Sequence, residues 1–125
     1  MSENKAASLP GKVSVCFPAF NEEKNIRATV QEALAVMQAL PFDYEIVVVN
    51  DGSRDKTGSI VSELQKNNHH IRPINHPINQ GYAITTRTCL EQAQGDLIFV
   101  IDSDGQHDLQ DIPKFLAVMN HGYDI

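Results

Sequence analysis

The sequence predicts an α/β protein with a Rossmann-like open, mainly parallel sheet and helices on both faces. Short apolar runs alternate four times with amphipathic helical patterns along the 125 residues, and such alternation implies right-handed crossovers between parallel strands. An acidic segment, 102–107, directly follows the most apolar run, 97–101. Because ligands of open sheets bind beyond the carboxyl ends of the strands, this segment is a candidate ligand site.

The first predicted unit is a strand over 13–17, a loop and a helix. Pro18 should stop the strand because it has no N–H to donate to a ladder. Asn21 is the predicted N-cap of the helix. Apolar residues recur along that helix at spacings of three and four until Pro41 ends it.

Two more units repeat this plan. A strand over 44–49 leads through the loop 50–53 into a shorter helix. The third strand, 71–75, contains Pro73, which favours a position at the edge of the sheet. A further helix is predicted over 82–93.

The fourth unit contains the apolar strand and the acidic segment. A last helix is predicted to begin near Pro113, where a missing N–H costs nothing, and to end at Gly122. Residues 123–125 resemble the start of another strand, so we expect the alternation to continue beyond the sequence.

Composition excludes several classes of function. The hydrophobic fraction of 42% and charged fraction of 21% are ordinary for a globular domain. A net charge of −6 without dense Lys or Arg runs argues against nucleic acid as a partner. Cys16 and Cys89 fit apolar patterns and are predicted to be core thiols in a reducing compartment. No segment resembles a signal peptide or membrane helix, so a cytoplasmic location is expected.

Asp102 and Asp104 are the strongest candidates for chemistry. Their spacing of two in an extended segment aims both carboxylates to one side. A solvated surface turn is the structural alternative, but it gives no reason for paired acids after five apolar residues. Two close carboxylates need a counter-charge, and oxygen ligands favour Mg²⁺ or Mn²⁺. Gln106 or His107 is a candidate additional ligand.

Two other loops should reach the same edge of the sheet. The loop 18–22 fits a strand end and helix cap, but it also fits one wall of a nucleotide pocket, with Phe20 offering a ring face and Glu22 an acceptor. Asp51 and Gly52 fit an ordinary turn. They equally fit a carboxylate that accepts from a base N–H and a glycine that lets the backbone approach a ligand.

The remaining histidines show no metal-ligand spacing. His69, His70, His76 and His121 are predicted to be solvated or to cap helices. Arg87 remains open between a phosphate contact and an exposed position on a helix.

Together these motifs resemble the family 2 glycosyltransferases, which have the nucleotide-diphospho-sugar transferase (GT-A) fold. The motifs lie at 13–22, 47–53, 79–81 and 102–107, and the resemblance covers residues 13–125. The Gln-His pair after the Asp-x-Asp triplet is most similar to the dolichol-phosphate mannose synthase group of polyprenyl-phosphate sugar transferases.

The resemblance implies binding of a UDP- or GDP-sugar with Mg²⁺ or Mn²⁺. By resemblance, the nucleoside contacts are Pro18, Phe20, Glu22, Val49 and Asp51, the ribose and phosphate contacts are Asp102 and Ser103, and the metal ligands are Asp102, Asp104 and Gln106. The implied acceptor is a membrane polyprenyl phosphate, so the whole protein is expected to be membrane-associated.

The resemblance also divides the chain. Residues 1–11 are predicted to be a flexible tail, and residues 12–125 the donor-binding part of a glycosyltransferase domain. The general base of the family carries over to no residue here, so the chain alone is expected to be slow or inactive.

Two alternatives come from other classes of protein. One is a noncatalytic nucleotide-sugar-binding or scaffold fragment, which would expose apolar surface at a sheet edge. The other is a receiver-like Mg²⁺-binding signalling domain, which would need a phosphoacceptor Asp after its third strand; here that strand ends at Asn75-His76.

Overall fold

The computed structural model describes residues 11–105 and 108–120, which form four strands and four helices in alternation. The strands are β1 (Lys12–Ala19), β2 (Asp43–Asp51), β3 (Ile71–His76) and β4 (Leu97–Val100). The helices are α1 (Ile26–Gln38), α2 (Thr57–Asn67), α3 (Tyr82–Gln92) and α4 (Asp111–Asn120). The predicted α/β class is confirmed.

All strand pairs are parallel, and the order across the sheet is β3-β2-β1-β4. The predicted edge position of β3 is confirmed. The chain steps from β1 outward to β3 and then crosses to the other side of β1, which creates a topological switch point between β1 and β4. The receiver alternative is wrong, because a receiver sheet has the order 2-1-3-4-5, with its third strand inside the sheet.

Alternate residues of the strands pack on opposite faces of the sheet. On one face Val15, Phe17 and Ile46 join the apolar sides of α1, α2 and α4 in the main core. On the other face Cys16 packs against Cys89 of α3. Both cysteines are buried free thiols, as predicted.

Pro18 does not stop the first strand, which continues to Ala19 and pairs Pro18 with Val49. The Cys16 carbonyl accepts from Ile101 N–H at 2.9 Å on the β4 side of the strand. Pro18, two residues on, faces that same side where β4 has already ended. Its missing N–H therefore has no ladder partner to lose.

The predicted cap at Asn21 is also wrong. Helix α1 begins at Ile26, and its N-cap residue, Asn25, makes no side-chain cap hydrogen bond. Asn21 instead adopts a positive φ of 53° and accepts from Arg54 N–H through Oδ1 at 2.9 Å. A contact between two loops has overridden the local capping preference.

The remaining boundaries agree with the sequence to within a few residues. Helix α4 begins at Asp111, two residues before Pro113. The predictions for Gly122, for residues 123–125 and for the tail up to residue 10 lie outside the described residues. Within residues 11–105 and 108–120, no helix has both the length and the apolar character needed to cross a bilayer.

Candidate functional site

A cleft of about 440 Å³ lies at the carboxyl ends of the strands, at the switch point between β1 and β4. Its lining comes from the end of β1, the end of β2, the start of α3 and the segment after β4. The lining residues are Pro18, Ala19, Phe20, Glu22, Asp51, Asn79, Gly81, Tyr82, Thr85, Asp102, Ser103 and Asp104. Three loops that the sequence placed at one edge of the sheet therefore meet in one cleft.

The loop that carries Phe20 and Glu22 is held by the loop before α2. Asn21 N–H donates to Ser53 Oγ at 2.9 Å, and Glu22 N–H donates to Thr57 Oγ1 at 2.8 Å. Thr57 is fully buried. Since these bonds fix the backbone that leads into Glu22, the position of its side chain beside the cleft is set by tertiary contacts.

Charged residues add further hydrogen bonds between the two loops. Glu23 N–H donates to Asp55 Oδ2 at 3.2 Å, and Lys56 N–H donates to Glu23 Oε1 at 3.0 Å. Asp55 also accepts from the Thr57 hydroxyl at 2.6 Å. Burial raises the pKa of Asp55, but the hydrogen bonds from Thr57 and Glu23 outweigh it and leave the pKa below its ordinary value.

Asp51 is 2% exposed and forms the floor of the cleft. Its Oδ1 accepts from Gln80 N–H at 2.9 Å and faces His76 Nδ1 at 2.8 Å. Its Oδ2 accepts from Gly81 N–H at 2.9 Å and from Asn79 Nδ2 at 3.0 Å. Burial raises the pKa of Asp51, but the bonds from His76, Gln80 and Gly81 outweigh it, so the pKa is lowered and the group is ionised at neutral pH.

The acidic segment after β4 forms the opposite wall. Ser103 is 3% exposed, and its Oγ donates to the Pro18 carbonyl at 2.9 Å, which ties the segment to the end of β1. Asp102 Oδ1 accepts from the Tyr82 hydroxyl at 2.8 Å. Asp104 lies at the rim of the same cleft.

The donor set of the cleft fits a hard divalent cation. Asp102 and Asp104 both line this space, and among residues 11–105 and 108–120 no cysteine or histidine lines it. Among the described residues no cluster of three His, Cys, Asp or Glu side chains forms a complete metal cage. Mg²⁺ is commonly held by one or two carboxylates together with water and substrate phosphates, so a carboxylate pair suffices.

One predicted site residue does not bring its side chain to the cleft. Val49 is fully buried in the apolar cluster beneath α3, so its side chain cannot touch a ligand. Gln106 and His107 lie outside the described residues. Arg87, left open by the sequence, forms an exposed ion pair with Glu91 at 3.1 Å.

The prediction that His76 is a solvated or capping residue is wrong. Its side chain is 10% exposed and contacts Asp51 and Thr88. The only signal in the sequence was that His76 ends an apolar strand, just as Asp51 does, and so should reach the same edge of a parallel sheet. Ser53 and Thr57 were missed as well, because their partners lie more than 30 residues away.

The fold and the cleft define an open α/β domain with a polar, acidic ligand site at the switch point of a parallel sheet. Within that class, the family model described as Glycosyl transferase family 2 matches residues 14–125. The chain belongs to this family, as its four motifs predicted.

The relatives are longer than this chain. The undecaprenyl-phosphate 4-deoxy-4-formamido-L-arabinose transferase of Photorhabdus laumondii is 33% identical over 115 residues, which are 91% of this chain and 35% of that protein. The chain therefore spans about a third of the length of such curated relatives.

Solved glycosyltransferase structures share the fold. A complex of Mycobacterium tuberculosis glucosyl-3-phosphoglycerate synthase with Mn²⁺, UDP and phosphoglyceric acid has a TM-score of 0.67 and 26% identity, covering 99% of this chain and 44% of that chain. A mannosyltransferase from Pyrobaculum calidifontis with GDP-Man and Mn²⁺ has a TM-score of 0.61 and 25% identity, covering 77% of this chain and 28% of that chain.

Proposed function

We propose that this chain is the donor-binding part of a glycosyltransferase and binds a UDP- or GDP-sugar together with Mg²⁺ or Mn²⁺ in the cleft between β1 and β4. The observation that carries the proposal is the meeting of Asp51, Asp102 and Asp104 in one cleft at the switch point. The Mn²⁺ complexes of similar proteins with UDP and GDP-Man support it.

Each wall of the cleft has a distinct task in this proposal. Phe20 and Glu22 would contact the nucleoside, Phe20 through its half-exposed ring and Glu22 through its carboxylate. Asp102 and Ser103 would lie along the ribose and phosphates. Asp102 and Asp104 would hold the cation, with Gln106 as the further ligand implied by the resemblance. A bound cation neutralises the charge that develops on a departing nucleoside diphosphate.

We assign the described residues to donor binding and none of them to activation of the acceptor. The acceptor proposed for the whole protein is a polyprenyl phosphate, because the Photorhabdus relative is an undecaprenyl-phosphate sugar transferase. A phosphate oxygen of the acceptor would attack the anomeric carbon as the bond from that carbon to the nucleoside diphosphate breaks. A cation held by Asp102 and Asp104 would supply the counter-charge for the leaving diphosphate.

Titration calorimetry with UDP and GDP, first with Mn²⁺ and then with a chelator, tests donor binding. We expect heat from at least one nucleotide that disappears with the chelator. Asp104→Asn should weaken this binding at least about tenfold, because it removes one carboxylate of a two-carboxylate site. Asp43→Asn, at the amino end of β2, is the matched control. Metal-independent heat, or none from either nucleotide, would refute the proposal.

A further inference from the structure

The carboxylate of Asp51 is held through both of its oxygens. Four donors contact it: His76 Nδ1 and Gln80 N–H on one oxygen, and Asn79 Nδ2 and Gly81 N–H on the other. Three of these donors belong to the loop between β3 and α3, so Asp51 organises that loop.

His76 is the fourth donor and comes from a different element. It is the last residue of β3 and lies opposite Asp51 in the strand register. An ionised carboxylate can only accept, so Nδ1 carries the proton of their 2.8 Å hydrogen bond. The other ring nitrogen, Nε2, lies 3.0 Å from Thr88 Oγ1 on α3. The ring therefore joins the ends of β2 and β3 to the helix that borders the cleft.

We propose that His76 is a positioning residue of the nucleotide site, acting by fixing the orientation of the Asp51 carboxylate. The inference rests on the proposed function for its link to the nucleotide. The torsion that rotates a carboxylate has broad wells, and the other three donors belong to the loop that this carboxylate itself positions. The His76 ring is the donor that is anchored in the sheet, at the end of β3. Asn79 and Gly81, which line the cleft, take their positions from this carboxylate.

Two substitutions separate the hydrogen bond from the bulk of the ring. In His76→Asn the amide nitrogen is as many bonds from Cα as Nδ1, so it can still donate to Asp51. In His76→Gln the amide nitrogen is one bond further from Cα, as Nε2 is, so it reaches toward Thr88 and not toward Asp51. Thr88→Val removes the partner of Nε2 and leaves the bond to Asp51 intact.

Hydrogen exchange of the Gln80 and Gly81 amides reports on the loop without any nucleotide. In His76→Gln we expect the protection of both amides to fall at least about tenfold, which is the equivalent of one hydrogen bond to a charged group. His76→Asn and Thr88→Val should stay within about threefold of the wild type. Calorimetry with UDP and GDP in Mn²⁺ should show the same ranking of affinities, and thermal unfolding verifies that each variant is folded.

The outcomes separate this inference from the proposed function. Retained amide protection in His76→Gln, or equal losses in His76→Gln and His76→Asn, would overturn the role of Nδ1. Loss confined to His76→Gln would support that role in the loop, even if the wild type bound neither nucleotide. Failure of the wild type to bind either nucleotide would overturn the proposed function instead.

Discussion

The Tyr82 hydroxyl donates to Asp102 Oδ1 at 2.8 Å and so links the first residue of α3 to the acidic segment after β4. Both residues line the cleft between them. Tyr82 is 63% exposed, so the hydrogen bond forms at the rim, where water competes with it. The pKa of the Tyr82 phenol should therefore report on the charge of Asp102.

We expect Tyr82 to ionise above the ordinary tyrosine value of 10.0. The hydrogen bond to Asp102 raises the pKa of Tyr82, and burial and the negative charge of Asp102 add to it. Any stability that the bond provides is present below pH 10.0 and is lost as the pH rises through the raised pKa. Burial also raises the pKa of Tyr44, so spectrophotometric titration should show more than one high tyrosine transition. Asp102→Asn should move the Tyr82 transition downward, and Tyr82→Phe should remove it. An unchanged titration in Asp102→Asn would contradict the link.

The order of the elements was predictable because it depends on local patterns. Runs such as 97–101 and the periodic apolar positions of α1 carry their own signal. Parallel strands bring their carboxyl ends to one edge, so the meeting of Asp51 with Asp102 followed from the topology alone. The resemblance to family 2 glycosyltransferases added the assignment of each loop to part of a donor sugar nucleotide.

The contacts that shape the cleft were not predictable in this way. Asn21 has the sequence context of a cap, yet its side chain holds Arg54 N–H in another loop. His76 has no motif, and its role depends on the side-by-side pairing of β2 and β3. Such long-range polar contacts carry no periodicity, so a single sequence cannot indicate them.

Thr57→Val should loosen the loop that carries Glu22. Thr57 Oγ1 accepts from Glu22 N–H inside the protein, and valine keeps the shape of threonine without an acceptor. We expect a loss of about 1–3 kcal/mol in the free energy of unfolding, the cost of an unsatisfied buried donor, together with weaker nucleotide binding. Urea unfolding measures the first effect and calorimetry the second.

Ser59→Ala is the matched control for this variant. The Ser59 hydroxyl is exposed and donates to the Lys56 carbonyl within the first turn of α2. Its removal should change the unfolding free energy by less than about 0.5 kcal/mol. If Thr57→Val changes the unfolding free energy as little as Ser59→Ala does, the hydrogen bond between the two loops does not contribute to stability.

Gly52→Ala should displace the loop between β3 and α3. Gly52 has a φ of +67°, and an added Cβ would lie 2.4 Å from the Asn79 nitrogen and 2.6 Å from the Ile78 carbonyl carbon. Strain and the clash with backbone should together cost at least about 1–3 kcal/mol of unfolding free energy. The measurement is urea unfolding, supported by amide exchange of Gly81.

Gly58→Ala provides the comparison. A Cβ there would meet only the Asn50 side-chain amide, at 2.8 Å, and alanine favours a helix by about 1 kcal/mol over glycine. The two effects oppose each other, so the change should stay within about 1 kcal/mol. Equal losses in Gly52→Ala and Gly58→Ala would show that close packing on the loop is not the cause.

Stability should fall in acid because two buried carboxylates have lowered pKa values. Burial raises the pKa of Glu45, but hydrogen bonds from Gln94 N–H, Ser14 Oγ and Arg72 outweigh it and leave the pKa lowered. The pKa of Asp51 is lowered in the same way by the groups that donate hydrogen bonds to it. A lowered folded-state pKa gives stability that is fully present above the ordinary values of 4.5 and 3.8 and is lost as the pH falls through the lowered values.

Urea unfolding at a series of pH values between about 3 and 7 measures this loss. Glu45→Gln and Asp51→Asn should each lower stability at neutral pH and flatten the acid branch, since neither amide can be protonated there. The two effects should add, because Glu45 lies near the amino end of β2 and Asp51 at its carboxyl end, with no shared donor. An acid branch as steep in the double variant as in the wild type would show that other groups control acid unfolding.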